Sequence, residues 1–176
     1  RAFNFDLNPL DGVSGKGIIH DARLLTPAGD AVDIANVGAE VVLHVTVTPD
    51  RDVDQPVLGF VVRNRLGQAL VSDTTALLSD AVAKLERGHN YRATFRFLMP
   101  HLPDGEYAIE PSLFERDGST PVDRYLDRLF VRVQTEIPLE GLTNLFVHKV
   151  TLSYGDDLTG RTIGGVLTPH EKLPPR

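Results

Sequence analysis

The sequence predicts an all-β fold, an antiparallel β-sandwich. Apolar residues recur at every second position far more often than at helical spacing, and the alternating stretches have strand length. Turn residues separate them, and seven or so short strands joined by turns describe two packed sheets rather than a helical layer. The first strand is expected over Gly17–Leu25, closed by the turn Pro27-Ala28-Gly29-Asp30. In the second, Glu40–Thr48, the residues Val41, Leu43, Val45 and Val47 share one face while His44, Thr46 and Thr48 share the other. Pro56–Asn64 and Gln68–Ser72 flank the turn at Leu66-Gly67. Tyr91, Ala93, Phe95 and Phe97 alternate with Arg92, Thr94 and Arg96. Glu106–Phe114 follows Asp104-Gly105 and precedes Asp117-Gly118, and Leu129, Val131 and Val133 alternate with Arg128, Phe130 and Arg132.

Thr75–Glu86 alone has a pattern that a short helical turn would accept, and it reads as a connection rather than a layer. After Gln134 the residues Pro138, Gly141 and Asn144 make a break before Leu145–Tyr154, which reads as a detached extra strand. The organisation expected is therefore a lead-in over 1–14, a sandwich over 15–134, a linker with an extra strand over 135–154, and a flexible tail over 155–176. The chain opens on Arg1 rather than Met and is expected to be a piece of a longer protein.

Composition narrows the function. With 176 residues, 41% of them apolar, the chain can bury one domain's core, and a net charge of -6 argues against a nucleic-acid partner. The absence of cysteine removes disulfides, thiolate metal sites and a cysteine nucleophile. No apolar run reaches the length of about 18 residues that a membrane helix needs. Asp50-Arg51-Asp52-Val53-Asp54 begins like a calcium loop, but Gln55 stands where that loop needs glycine and Val61 where it needs glutamate, so a solvated turn is the expectation. The six histidines are scattered, and no serine occupies a glycine-flanked elbow, so neither metal nor hydrolase chemistry is expected, and no cofactor.

The outward faces of the strands are more informative. Fourteen arginines stand against four lysines, and Arg63, Arg92, Arg96, Arg128 and Arg132 all lie opposite the apolar set. A planar guanidinium hydrogen-bonds sugar hydroxyls or clamps a carboxylate with two parallel bonds. Phe130 lies between Arg128 and Arg132, and an exposed ring beside polar donors suits a pyranose, whose apolar face stacks while its hydroxyls need directional partners. The alternative is that Phe130 and Phe114 are covered by Leu145–Tyr154 or by a second subunit. Tyr107, two residues after Gly105, reads as a corner tyrosine whose hydroxyl caps a turn, and Gly59 marks a bulge or the close approach of another chain.

Four segments, Ser14-Gly15-Lys16-Gly17-Ile18-Ile19, Gly59-Phe60-Val61-Val62-Arg63-Asn64-Arg65-Leu66-Gly67, Leu102-Pro103-Asp104-Gly105-Glu106-Tyr107 and Phe130-Val131-Arg132-Val133, resemble in order and spacing the carbohydrate-binding C-terminal domain of the Wzt type. That domain is appended to the ATPase subunit of transporters that export O-antigen polysaccharide. The resemblance implies an immunoglobulin-like sandwich, a cytoplasmic location at the inner face of the membrane, an ATPase domain and a membrane subunit as partners, and recognition of a finished glycan by its non-reducing end. It also implies a non-catalytic module. The chain departs from the family in having no tryptophan, which moves the expected contacts to Phe, Tyr and Arg.

The ligand-binding residues expected are Arg63, Glu110, Ser112, Arg128, Phe130 and Arg132, on one sheet, with His44, Arg92 and Arg96 on the opposite face as second choice. Arginine abundance suggests an acidic terminal sugar. A structural or dimerisation sandwich that mediates protein contacts is the competing reading. Because the break before Leu145 is too long for a tight hairpin, a homodimer is expected, with this strand exchanged between copies.

Overall fold

The computed structural model describes residues 16–74, 83–115, 121–126 and 128–135, together with the backbone of two strands beyond them. The strands are β1 (Ile19–Leu25), β2 (Ile34–Asn36), β3 (Glu40–Val47), β4 (Val53–Asp54), β5 (Pro56–Arg63), β6 (Ala69–Thr74), β7 (Lys84–Leu85), β8 (Tyr91–Leu98), β9 (Gly105–Glu115), β10 (Asp123–Arg124), β11 (Phe130–Gln134), β12 (Val147–Tyr154) and β13 (Arg161–Ile163). They form a five-stranded sheet in the order β1-β3-β8-β12-β13, which we call sheet A, and a second sheet, B, in the order β2-β11-β9-β5-β6 with β10 beside β9. β4 and β7 make a small separate pair. Among the described residues there is no helix, and none is long and apolar enough to cross a membrane.

The alternation read from the sequence becomes the core. Val41, Leu43, Val45 and Val47 of β3 and Ala93, Phe95 and Phe97 of β8 face Leu58, Phe60 and Val62 of β5, Tyr107, Ile109 and Leu113 of β9, and Val131 and Val133 of β11 in one apolar cluster. Phe60 joins the layers: its ring centroid lies 5.2 Å from that of Phe95, edge-on, and 5.4 Å from that of Phe97, stacked. Such pairs add about 0.5–1.5 kcal/mol each to the burial of the rings.

Four short elements between the long strands escape the sequence. β2, β4, β7 and β10 have two or three residues each, too few for a period to be legible, and β2 pairs parallel with β11 through a connection that no local pattern announces. Residues 75–82 of the segment that could have been helical lie outside the described residues, whereas Lys84–Leu85 is strand. The lead-in over 1–14 also lies outside them, as does most of the tail. Arg161–Ile163, expected within that unpacked tail, instead pairs antiparallel with β12. The extra strand joins sheet A, with Val150 opposite Phe95 and Tyr154 opposite Tyr91. β12 thus belongs to the other sheet and does not lie over Phe130.

Two expectations for single residues have clear outcomes. The Tyr107 hydroxyl donates to the Pro103 carbonyl at 2.7 Å, the corner geometry read from the sequence, and burial pushes its pKa up, with Asp104 adding to the shift. Gly59 does meet a close backbone, and it is the chain's own: a Cβ there would lie 2.7 Å from the Asp73 carbonyl oxygen of β6. Within the stretch that began like a calcium loop, side chains are engaged in ion pairs and a backbone bond. Asp52 pairs with Lys84 at 2.6 Å and accepts the Arg87 amide at 2.9 Å, while Arg51 reaches Glu115 at 2.6 Å.

Asp123 ties the two sheets at one corner. It is fully buried, and its carboxylate accepts the backbone N–H of Lys16 at 2.7 Å and of Ile19 at 2.8 Å. Because β10 pairs with β9, this clamp fixes the start of β1 to the strand that runs under the candidate site.

Candidate functional site

The outward face of sheet B is built by register. Ala108 of β9 has Arg63 of β5 on one side and Phe130 of β11 on the other, Glu106 stands opposite Arg132, and Ile34 of β2 stands beside Arg132. Alternation sends the even-numbered residues of β9 and β11 outward, which is why Glu106, Glu110, Phe130 and Arg132 share this face. Above them lies a two-lobed groove. A depression of about 450 Å³ is walled by Asp33, Glu106, Phe130 and Arg132. Its neighbour, of about 310 Å³, is walled by Arg63, Asn64, Glu110 and Phe130 over the floor of Ala108. Arg65, Glu106 and Phe130 belong to both lobes.

One side of the groove is held rigid. The Arg63 Nε donates to the Glu110 Oε2 at 2.7 Å, and its Nη1 donates to the Gly67 carbonyl at 2.9 Å. Glu110 is only 8% exposed, and the Arg63 guanidinium is the partner that satisfies a carboxylate withdrawn from water. In the turn between β5 and β6 the Asn64 Oδ1 accepts the amides of Leu66 and Gln68, both at 3.0 Å, and its Nδ2 donates to the Gln68 side chain at 2.8 Å. Gly67 takes φ +75, the left-handed conformation that closes this turn. The turn presents Arg65 over the groove.

The other side offers apolar surface. Phe130 is 47% exposed and lines both lobes; Ile34, 56% exposed, stands opposite Arg132 in the register, and Leu66, 61% exposed, lies in the turn between Arg65 and Gly67. Against them stand three guanidinium groups, from Arg63, Arg65 and Arg132, and three carboxylates, from Asp33, Glu106 and Glu110. The lining therefore has positive and negative groups in equal number around a half-exposed ring. It has no excess of positive charge, so the arginine count alone does not favour an acidic ligand here.

Of the residues expected from the sequence, Arg63, Glu110, Phe130 and Arg132 come together in this groove. Ser112 and Arg128 do not line it. Ser112 is buried between Gly59 and Arg124 in the register, one step beyond Glu110. Arg128 precedes β11, and its guanidinium sits 5.3 Å from the centroid of the Tyr125 ring. Glu106, Arg65 and Asp33 line the groove without being among the ligand residues expected from the sequence. Glu106 has the same phase as Glu110, and that signal was available. Arg65 depends on a turn and Asp33 on the parallel β2–β11 pairing, which the sequence does not announce.

His44, Arg92 and Arg96 also share one face, the outside of sheet A, where His44 pairs with Thr94, and Thr46 and Val42 pair with the two arginines. Burial lowers the His44 pKa, and Arg92 and Arg96 lower it further. Among the described residues no group of His, Asp and Glu is placed to hold a metal ion.

The C-terminal domain of Wzt, known from a crystal structure, is similar in fold, with a TM-score of 0.63 and 20% identity over 74% of this chain and 81% of that chain. A CARDB domain from Pyrococcus furiosus matches at a TM-score of 0.34 and 16% identity, over 74% of this chain and 100% of that chain. No curated protein matches. The family model of the Wzt C-terminal domain matches residues 12–145, three quarters of the chain, and the chain belongs to that family.

Proposed function

We propose that the chain is a non-catalytic carbohydrate-binding module that recognises the non-reducing end of a completed O-antigen polysaccharide and couples it to export by an ABC transporter. Family membership supports the transporter context. The observation that carries the glycan reading is the groove on sheet B. A half-exposed Phe130 ring is set among guanidinium and carboxylate groups, the combination that stacks a pyranose and serves its hydroxyls. The ATPase domain and membrane subunit of the transporter are the partners in this reading, at the cytoplasmic face of the inner membrane.

The experiment is calorimetric titration of the chain with the O-polysaccharide of its source organism. Binding is expected, and Phe130→Ala should weaken it by about 1 kcal/mol through loss of the stacking ring. Absence of binding at millimolar glycan sinks the proposal. Unchanged affinity in both Phe130→Ala and Arg132→Ala, with the fold intact, moves the site to the face of His44, Arg92 and Arg96.

The second reading is a dimerisation sandwich, favoured by the exposure of Phe130 in the groove, of Ile34 beside Arg132 and of Leu66 in the β5–β6 turn. In either reading the assembly we propose is a homodimer that exchanges β12, since its register against β8 can be made equally well in trans. Light scattering distinguishes the cases. A dimer that Phe130→Arg dissociates supports the second reading, and one that survives deletion of residues 145–176 rejects the exchange.

A further inference from the structure

We infer that the groove on sheet B reads two consecutive sugar residues rather than a single terminal one, with Phe130 at their junction. The inference rests on the glycan reading above and adds the length of the recognised unit. Three features lead to it.

The first is shape. The groove has two depressions, of about 450 Å³ and 310 Å³, each within or near the size range of small-ligand sites, and they meet at Arg65, Glu106 and Phe130. The second is span. Its lining runs from Asp33, just before β2 and beside β11, across β11 and β9 to Arg63 of β5, three strand spacings or about 14 Å, which is wider than a single pyranose ring. The third is chemistry. Each lobe has its own acid and its own guanidinium: Asp33 and Arg132 in the first, Glu110 and Arg63 in the second. A carboxylate accepts from two hydroxyls and a guanidinium donates along two parallel directions, so each lobe can serve one ring. A ring seated in one lobe alone would leave the acid and guanidinium of the other lobe, and one flank of Phe130, without a ligand contact.

The two lobes also differ in stiffness. Arg63 is committed to Glu110 and to the Gly67 carbonyl, so the second lobe is set before a ligand arrives. Ala108 forms its floor, directly between Arg63 and Phe130 in the register, and a larger side chain there would occupy it.

The test uses the full chain. The probes are mono-, di-, tri- and tetrasaccharides prepared by partial acid hydrolysis of the source organism's O-polysaccharide, alongside the intact polysaccharide, with affinity measured by calorimetry. The dissociation constant should fall at least tenfold from mono- to disaccharide and change less than threefold from di- to tetrasaccharide. Ala108→Leu, which fills the second lobe, and Asp33→Ala, which removes the acid of the first, should each reduce the tenfold gain to less than threefold; thermal unfolding checks that both variants are folded. A monosaccharide that binds within threefold of the disaccharide overturns the inference in favour of a one-ring site. A gain that continues through the tetrasaccharide overturns it in favour of a longer groove, and a folded Ala108→Leu that keeps the full gain removes the second lobe from the site. If neither the fragments nor the intact polysaccharide binds, it is the glycan reading itself that fails.

Discussion

Replacing Asp123 by alanine tests whether one buried carboxylate holds the two sheets together at the corner where the chain enters β1. Asp123 is fully buried and accepts two backbone amides, from Lys16 at 2.7 Å and Ile19 at 2.8 Å. A hydrogen bond to a charged acceptor contributes about 1.5–3 kcal/mol, and a buried amide left without a partner costs about 1–3 kcal/mol. These overlap as two views of one loss, and part of the carboxylate's own burial cost is recovered, so Asp123→Ala should cost about 3–5 kcal/mol. A domain of this kind has about 5–15 kcal/mol in total, so the loss is large, and it corresponds to a fall in Tm of roughly 6–20 °C. Asp123→Asn keeps the shape and one acceptor, and should lose about half as much. Urea denaturation followed by far-UV circular dichroism measures the loss. Amide hydrogen exchange at Lys16 and Ile19 locates it, because those two amides should lose protection before the rest of the core. The reasoning is refuted if Asp123→Ala loses less than about 1 kcal/mol while both amides stay protected.

Three further outcomes follow from the same structure. Gly59→Ala places a Cβ 2.7 Å from the Asp73 carbonyl and 3.2 Å from the Thr74 Cβ, so β6 must move, and urea denaturation should register a loss of about 1–3 kcal/mol. Tyr107→Phe removes the donor to the Pro103 carbonyl and should cost about 1 kcal/mol in the same assay, with far-UV circular dichroism unchanged. His44 is held below its ordinary pKa by burial, then by Arg92 and Arg96, with Asp21 opposing and Arg23 assisting. The unfolded chain therefore takes up this proton first as pH falls. The stability contribution is complete above about pH 6.5 and is lost as pH falls through the folded value. The urea midpoint should drop between pH 7.5 and 5.5 in the parent chain and drop less in His44→Gln; equal drops would remove His44 as the cause.

The sequence by itself determined the class of fold and most of the long strands. A strand's period of two depends only on neighbours along the chain, so β3, β8, β9 and β11 were legible within a residue or two at their ends. The corner at Tyr107 was legible for the same reason, since its partner Pro103 is four residues away. Phase also indicated which residues point outward, and it brought Arg63, Glu110, Phe130 and Arg132 to one face. Phase says nothing about where a strand stops, which is why Arg128, with the right parity, belongs to the approach to β11 and rests on Tyr125. Only the tertiary structure decided the rest. The parallel pairing of β2 with β11, the Asp123 clamp on amides 104 and 107 positions away, and the meeting of the β5–β6 turn with Asp33 across the sheet are long-range contacts. Both sheets present an outer face with arginines, so local pattern could not say where a groove would form. The groove forms on sheet B because β2 and the Asn64–Gln68 turn border β11, β9 and β5 there, and that arrangement is set by packing between segments remote in sequence.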